Sequence, residues 1–477
     1  MNVVTNPSDS VSALRRIFDA QRSAFRAEMN PSRAVRQDRL DRLARAVTQY
    51  ETRLVESISA DFGGRPRQIT MLADVLQVQG AIKHARRRLG RWMRTRRLAT
   101  APKFWPAYNR LQPQPLGVVG IIAPWNYPLN LALCPAVGAI AAGNRIMIKP
   151  SEVTPRFAAT LAEMIKGTFA EDEIAVVEGD EGTGRAFAEL PFDHLLFTGS
   201  TAVGRMVALA AAKNLTPVTL ELGGKSPAIV DASADLALAA RRIVYGKLFN
   251  AGQTCIAPDY VLVPAGQEEA LVAALRAAVA EQFPTLAGND DYTSIVNDRH
   301  LARLDSLIAD AKTHGGRIVE LAAGGGEVGA KRLFAPTLVL DASDAMRAMQ
   351  EEIFGPILPI VAYRDLDQAL ALINAGPRPL ALYWFGEDRA HRDRVLANTI
   401  SGGVTINDCL LHFAQEDAPF GGVGDSGQGA YHGVYGFRTF SKEKPIHMQS
   451  RWSGIALLYP PYGRRFDWMA ALLRRFG

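Results

Sequence analysis

From Gly117 onward short apolar runs alternate with amphipathic stretches: GVVGIIAP, a helix over 128–142, RIMIKPS, a helix over 156–169, AVVEG, a short helix, HLLFTGS, and a helix over 202–213. Strand-helix units repeated in this way predict a parallel sheet covered on both faces. After PVTLELGG the alternation restarts with PAIVD, a helix over 234–251, DYVLVP and a helix over 266–282, so a second α/β domain begins near residue 222. Ahead of both, residues 10–60 carry helical periodicity in two stretches separated by Pro31. The segment KFWPAYNRLQPQP is rich in Pro and aromatics, and the tail beyond about 410 is rich in Gly. Both read as excursions that pack elsewhere, on another subunit.

Composition changes this picture little. At 477 residues the chain has room for two to four domains. Its 48% hydrophobic and 21% charged residues are those of a globular protein. The net charge of +6 comes from Arg scattered through helical segments such as 86–97 and 464–475, which reads as a solvated basic face with no nucleic-acid motif beside it. Cysteines 134, 255 and 409 give neither a paired framework nor metal-ligand spacing, which points to free thiols in a reducing compartment and to no metal. The start, MNVVTNPSDSVSALRR, lacks the apolar core of an export signal, so a cytoplasmic location is expected. The apolar stretch 129–143 is broken by Asn130 and Pro135 and is shorter than the about 20 residues a bilayer needs. Residues 466–476 mix Trp468 and Met469 with Arg474 and Arg475, compatible with a docked terminal helix or weak contact at a membrane surface.

Two nucleotide-type motifs mislead. Gly422 to Gly427 fits G-x-G-x-x-G but follows Pro419-Phe420 rather than a strand, and reads as a loop. GGKS at 223–226 resembles a phosphate loop, yet Thr219 stands where that pattern needs Gly, which argues against an ATP site. In HLLFTGSTAVGRMVALA, by contrast, a strand ends at Thr198-Gly199-Ser200 and a helix starts at once, with Gly204 one turn in. That places free backbone N–H groups and a helix dipole where a pyrophosphate could lie, although a plain tight turn has the same pattern. Lys149 and Glu152 follow another strand, where a carboxylate can accept from ribose hydroxyls; a surface ion pair is the bland alternative. Asn126, in the Pro-flanked turn PWNYP, is a neutral donor suited to an oxyanion.

Glu221 in LELGGKSP and Cys255 in NAGQTCIAPDY form the core of the chemical reading. A thiol with an ordinary pKa of about 8.5 is mostly protonated at neutral pH, so a nucleophilic Cys needs a base or a cationic setting. The periodicity puts Cys255 at the C-terminal end of a helix, whose dipole would not lower its pKa. Glu221 could act as base, directly or through water, if burial raised its own pKa. Cys134 and Cys409 read as buried structural residues.

The ordered set PWNYP, KPSE, FTGSTAVG, LELGGKSP, GQTC, EEIFGP and PFGGVGDSG resembles the aldehyde dehydrogenase superfamily over residues 10 to 450. Within it, GQTCIAPDY, PVTLELGGKSP, YHG at 431–433 and the terminal YPP are similar to the class 3 and fatty aldehyde branch. DYTSIVN, FGED and YHGVYGFRTFSKEKP are closer still to bacterial coniferyl aldehyde dehydrogenases.

The resemblance implies a Rossmann-like parallel-sheet coenzyme domain (1–103 and 118–221), a second α/β catalytic domain (222–408), small β oligomerisation or bridging segments (104–117 and 409–450) and a tail (451–477). It implies that Cys255 is the nucleophile, that Glu221 is the base, and that Asn126 with the Cys255 backbone N–H forms the oxyanion hole. Lys149 and Glu152 would hold the adenosine ribose, and Gly199, Ser200 and Gly204 would serve the pyrophosphate. Glu352 and Phe354 would position the nicotinamide end, with Trp125 also on the cofactor side. NAD+ is the first expectation, because Glu152 opposes a 2′-phosphate, and NADP+ is the alternative that Lys149 would support. The loop 409–413, with His412, and Tyr127 are placed near the substrate; their apolar and aromatic surface suits an aryl propenal such as coniferyl aldehyde and a medium-chain aldehyde alike. The class 3 resemblance also implies a homodimer. Glu221 argues against acyl transfer to CoA, and the presence of Cys255, Glu221 and Asn126 argues against a retired, structural dehydrogenase.

Overall fold

The computed structural model describes residues 7–322 and 331–476. The reading of the amino-terminal stretch as free of an export signal falls partly on residues 1–6, outside the described residues.

The helical lead-in is two helices, Pro7–Ala27 and Arg33–Phe62. Ser32 caps the second by accepting from Val35 N at 3.3 Å, and Gly63 at φ 71° ends it in the left-handed conformation that glycine adopts without strain.

The first sheet orders its strands Gly427–Gln428, Val218–Glu221, His194–Thr198, Val118–Ile122, Arg145–Lys149, Ile174–Val176. The last five are mutually parallel. The chain starts this sheet at Val118–Ile122, builds outward to Ile174–Val176, then returns to the other side with His194–Thr198. The crevice left at such a reversal, beyond the carboxyl ends of the strands, is where α/β sheets bind ligands. Helix Pro128–Ala142 is buried along its whole length, as its nearly unbroken apolar sequence requires.

The second sheet has the order Arg317–Glu320, Thr337–Leu340, Ile357–Tyr363, Tyr260–Pro264, Pro227–Val230, Ala381–Phe385, Gly403–Ile406, antiparallel at its first pair and parallel elsewhere. A third, antiparallel sheet joins Arg96–Leu98, Tyr108–Pro115 and Ser441–Met448. The strand Arg96–Leu98 lies within the span assigned above to the coenzyme domain, and Gly427–Gln428, within the span assigned to bridging, closes the edge of the first sheet. Neither is visible in the pattern, since one is a charged, exposed triplet and the other is two residues long. Among the described residues no helix is long and apolar enough to cross a membrane, and no cluster of His, Cys, Asp or Glu is arranged for a metal ion.

Candidate active site

Strand register gathers the first group of site residues. Lys149 pairs with Ile122, Ile122 with Phe197 and Phe197 with Leu220, so four strands end level. Trp125 and Asn126, Lys149 and Glu152, Gly199 and Ser200, and Glu221 therefore emerge at one rim of the sheet. Ser200 caps helix Thr201–Ala212. A Cβ on Gly204 would meet Leu222 Cδ2 at 2.6 Å, so the glycine lets this helix sit close against the end of the Glu221 strand. Lys149 is buried, donates to Pro150 O at 2.8 Å and stands 3.6 Å from the half-exposed Glu152 carboxylate.

Cys255 comes from the segment between strands Pro227–Val230 and Tyr260–Pro264 of the second sheet. The helix expected to end beside it stops earlier, at Leu248. Asn250 and Ala251 then take left-handed φ of 54° and 52°, a reversal with no signature in the pattern because neither residue is glycine. Buried Asn250 and Gln253 hold the turn: Gln253 Nε2 donates to Asn250 O at 3.1 Å and to Ser294 O at 3.1 Å. The Asn126 side-chain amide donates to Gln253 O at 3.2 Å, two residues before the thiol, which ties the oxyanion candidate to the loop that carries the candidate nucleophile.

Glu221 is 3% exposed, and neither carboxylate oxygen has a hydrogen-bond partner among the described residues. Burial raises its carboxyl well above the ordinary range. Burial, then the charges of Glu352 and Glu221, push the Cys255 thiol up, while the backbone N–H groups of Cys255 and Ile256 pull it down. The thiol and both carboxyls thus share one electrostatic site, whose protons leave in coupled steps.

Glu352 is pushed up to about 8 by burial and by Asp259. Its seat is specific: a Cβ on Gly223 would lie 1.9 Å from Glu352 Oε2. Lys225 of the misleading GGKS segment pairs with Asp259 and donates to Ala348 O at 2.7 Å; Asp259 Oδ1 accepts from Ile353 N at 3.1 Å. Arg303 adds bonds to Glu352 O at 2.6 Å and Ile353 O at 2.7 Å. Phe354, at φ 52°, meets Trp125 edge to face at 5.4 Å between centroids.

His412 and Tyr127 are each held by partners of their own. His412 Nδ1 lies 2.8 Å from Thr405 Oγ1, and its ring stacks on Phe420 at 6.1 Å. Tyr127 is buried, its hydroxyl bonded to Thr254 and its ring 5.0 Å from the Arg65 guanidinium. Arg65 and Asp74 escaped the sequence reading. Arg65 Nη1 donates to Asn126 O at 2.9 Å, and no recognisable motif surrounds it.

A thiol, a buried acid and a side-chain amide meeting between two α/β sheets are the parts of an enzyme that works through a covalent bond to sulphur. The chain belongs to the aldehyde dehydrogenase family, which matches residues 2–446. A probable coniferyl aldehyde dehydrogenase of Pseudomonas aeruginosa is 49% identical over 454 residues, covering 95% of this chain and 94% of that protein. A coniferyl aldehyde dehydrogenase of Pseudomonas sp. strain HR199 is 47% identical and covers 92% of each. The substrate-bound structure of Staphylococcus aureus AldH superposes with a TM-score of 0.91 at 39% identity, over 96% of this chain and 99% of that one.

Proposed function

We propose that this aldehyde dehydrogenase oxidises aromatic aldehydes of the coniferyl type to their acids through a thioester on Cys255, with NAD+ as the preferred acceptor. Glu221 carries the reading: a buried, unpartnered carboxyl whose charge acts on the Cys255 thiol. Glu221 takes the thiol proton, directly or through water, as sulphur bonds to the aldehyde carbon. The Asn126 amide hydrogen left over from its bond to Gln253 and the Cys255 backbone N–H hold the oxygen as charge develops on it.

The donor set fits a dinucleotide. Glu152 offers an exposed acceptor for ribose hydroxyls, the Ser200-capped helix start suits pyrophosphate, and Glu352, whose charge acts on the thiol, with Phe354 and Trp125, which meet edge to face, supplies candidates for the nicotinamide end. When bound, NAD(P)+ supplies a hydride acceptor for the carbon attached to sulphur. Glu221 then draws a proton from water as it attacks the thioester, the C–S bond breaks and the carboxylate leaves.

The aromatic preference rests on the relatives named above. The half-exposed Leu411 also supplies apolar surface for an alkyl chain, which supports a medium- or long-chain aldehyde as the second reading. The test is formation of NADH and NADPH with coniferyl aldehyde, benzaldehyde and octanal by wild type and Cys255→Ala. Turnover led by the aromatic substrates and abolished in the variant supports the proposal; a preference for octanal moves it to the aliphatic reading, and an active variant removes the thioester. A homodimer and a cytoplasmic location accompany the proposal, the first checked by light scattering and the second by fractionation.

A further inference from the structure

Helix Leu76–Trp92 runs back along helix Arg33–Phe62, so that the carboxyl end of one meets the amino end of the other. The contact is close: the Arg33 guanidinium lies against Gly90, where a Cβ would meet Arg33 Cζ and Nη1 at 3.0 Å. At this junction lies a cleft of about 440 Å³ lined by Arg33, Arg87, Gly90, Arg91, Met93 and Arg94. Its volume falls within the range of small-molecule sites, roughly 300–1,000 Å³. It stands well away from the groups described above, because the other ends of the two helices reach Arg65 and Asp74 at the oxyanion turn, and the 17 residues of Leu76–Trp92 span about 25 Å.

The four arginines differ from their neighbours. Arg86 pairs with Asp41 at 2.6 Å and Arg88 with Asp417 at 3.6 Å, as arginines of a solvated face do. Among the described residues none of Arg33, Arg87, Arg91 and Arg94 enters an ion pair, and no carboxylate lines the cleft. Arg87 and Arg91 share a helix face at i and i+4, and Arg94 follows, its N–H donating to Arg91 O at 3.3 Å. The negative pole of their helix favours a cation in its last turn, but four like charges around one cleft repel one another with no acid to offset them. The facing helix adds a positive pole, capped by Ser32 and with no acidic residue in its first turn.

We propose that this cleft is a second anion site, built for a ligand that carries two or more phosphate groups, free in solution or on a lipid headgroup. Guanidinium forks match phosphate oxygens in pairs of hydrogen bonds. A single phosphate carries at most about two charges at neutral pH and leaves part of the arginine charge unbalanced; a second phosphate completes the balance.

Binding is measured by calorimetry with tripolyphosphate, with inorganic phosphate, and with vesicles of phosphatidylcholine alone or equimolar with cardiolipin, whose headgroup carries two phosphates. NAD+ is kept saturating, so that the coenzyme's own phosphate site is covered. Wild type is expected to bind tripolyphosphate at least tenfold more tightly than inorganic phosphate. Tripolyphosphate binding assigns the soluble source; binding of the cardiolipin vesicles alone assigns the lipid. Each variant is then read against the probe that wild type binds. The double variant Arg87→Gln with Arg91→Gln is expected to lose at least tenfold in affinity. Lys83→Gln with Arg86→Gln removes the same charge from the same helix outside the cleft, and is expected to stay within about twofold of wild type. Gly90→Leu keeps every charge and displaces the Arg33 guanidinium, with an expected loss of at least fivefold; melting temperatures confirm that each variant is folded. Equal losses in the two double variants, or an unaltered affinity in Gly90→Leu, reduce the cleft to a diffuse basic surface and overturn the proposal. So does a wild type that binds neither probe, or that binds inorganic phosphate as tightly as tripolyphosphate.

Discussion

Arg65 and Asp74 form an ion pair at 2.8 Å in which neither side chain is reached by solvent. Arg65 also holds Asn126 O at 2.9 Å, while Asp74 Oδ1 accepts from Leu129 N at 3.1 Å and Asn130 N at 3.0 Å, in the first turn of helix Pro128–Ala142. The pair therefore grips both sides of the turn that presents the oxyanion amide. Removing the charge of one partner leaves the other buried and uncompensated, at about 3–5 kcal/mol. Asp74→Asn should lower the melting temperature and also kcat. In an Asn126→Ala background its effect on kcat should largely vanish, while its effect on melting persists; fully additive kcat losses would detach the pair from catalysis.

Asn126→Ala by itself should lower kcat by about 10²–10³, the usual cost of one oxyanion donor. NAD+ affinity, followed by quenching of protein fluorescence, should stay near wild type, because the amide bonds to the Gln253 carbonyl in the nucleophile's loop.

Glu221 gives a pH-dependent stability with a defined sign. Burial raises its folded pKa, so its neutral form favours the fold; that contribution is complete below the unfolded carboxylate's range and is lost as pH rises through the folded value. Glu221→Gln has no charge to acquire. Its melting temperature should match wild type near pH 4 and exceed it at pH 9, while turnover falls by about 10² or more. A melting difference that is independent of pH would contradict a buried, titrating carboxyl.

Glu352 ionises near 8 and its charge holds the Cys255 thiol up. Glu352→Gln should therefore speed alkylation of Cys255 by iodoacetamide above pH 8 and leave it nearly unaltered at pH 6. Mass spectrometry of the modified peptide reads this directly.

Glu152 is half-exposed, and its charge opposes a 2′-phosphate at the proposed ribose site. Glu152→Gln should shift the NADP+ to NAD+ ratio of kcat/KM toward NADP+ by about tenfold, a difference of about 1.4 kcal/mol. The shift should shrink as salt is added. Kinetics with both cofactors at two ionic strengths decide it.

Much of the scaffold is readable because its strands are continuous apolar runs and its helices are amphipathic or wholly apolar. The helix over 128–142, for example, ends where Gly143 takes φ 97°. The nucleophile loop is less readable: Asn250 and Ala251 are left-handed through their packing, which no local preference announces. The residues that support the site are hidden for a related reason. Arg65 and Asp74 look like two more charges in a charged helical region, and their meaning comes from burial against a turn far along the chain. Lys225 lies in a segment that only resembles a phosphate loop, and its ammonium holds Asp259 and through it the backbone of Ile353, next to Glu352.

The antiparallel pairing of Gly427 with Glu221 and of Gln428 with Leu220 joins segments separated by nearly half the chain. During synthesis from the amino terminus, the parallel strands of the first sheet are all available long before the segment that covers their outer edge. A nascent chain halted short of Gly427 would carry Cys255, Glu221 and Asn126 but leave the Glu221 strand as an unpaired edge, open to solvent and to other strands. The outer edge of the first sheet is thus closed only when this two-residue strand has been made.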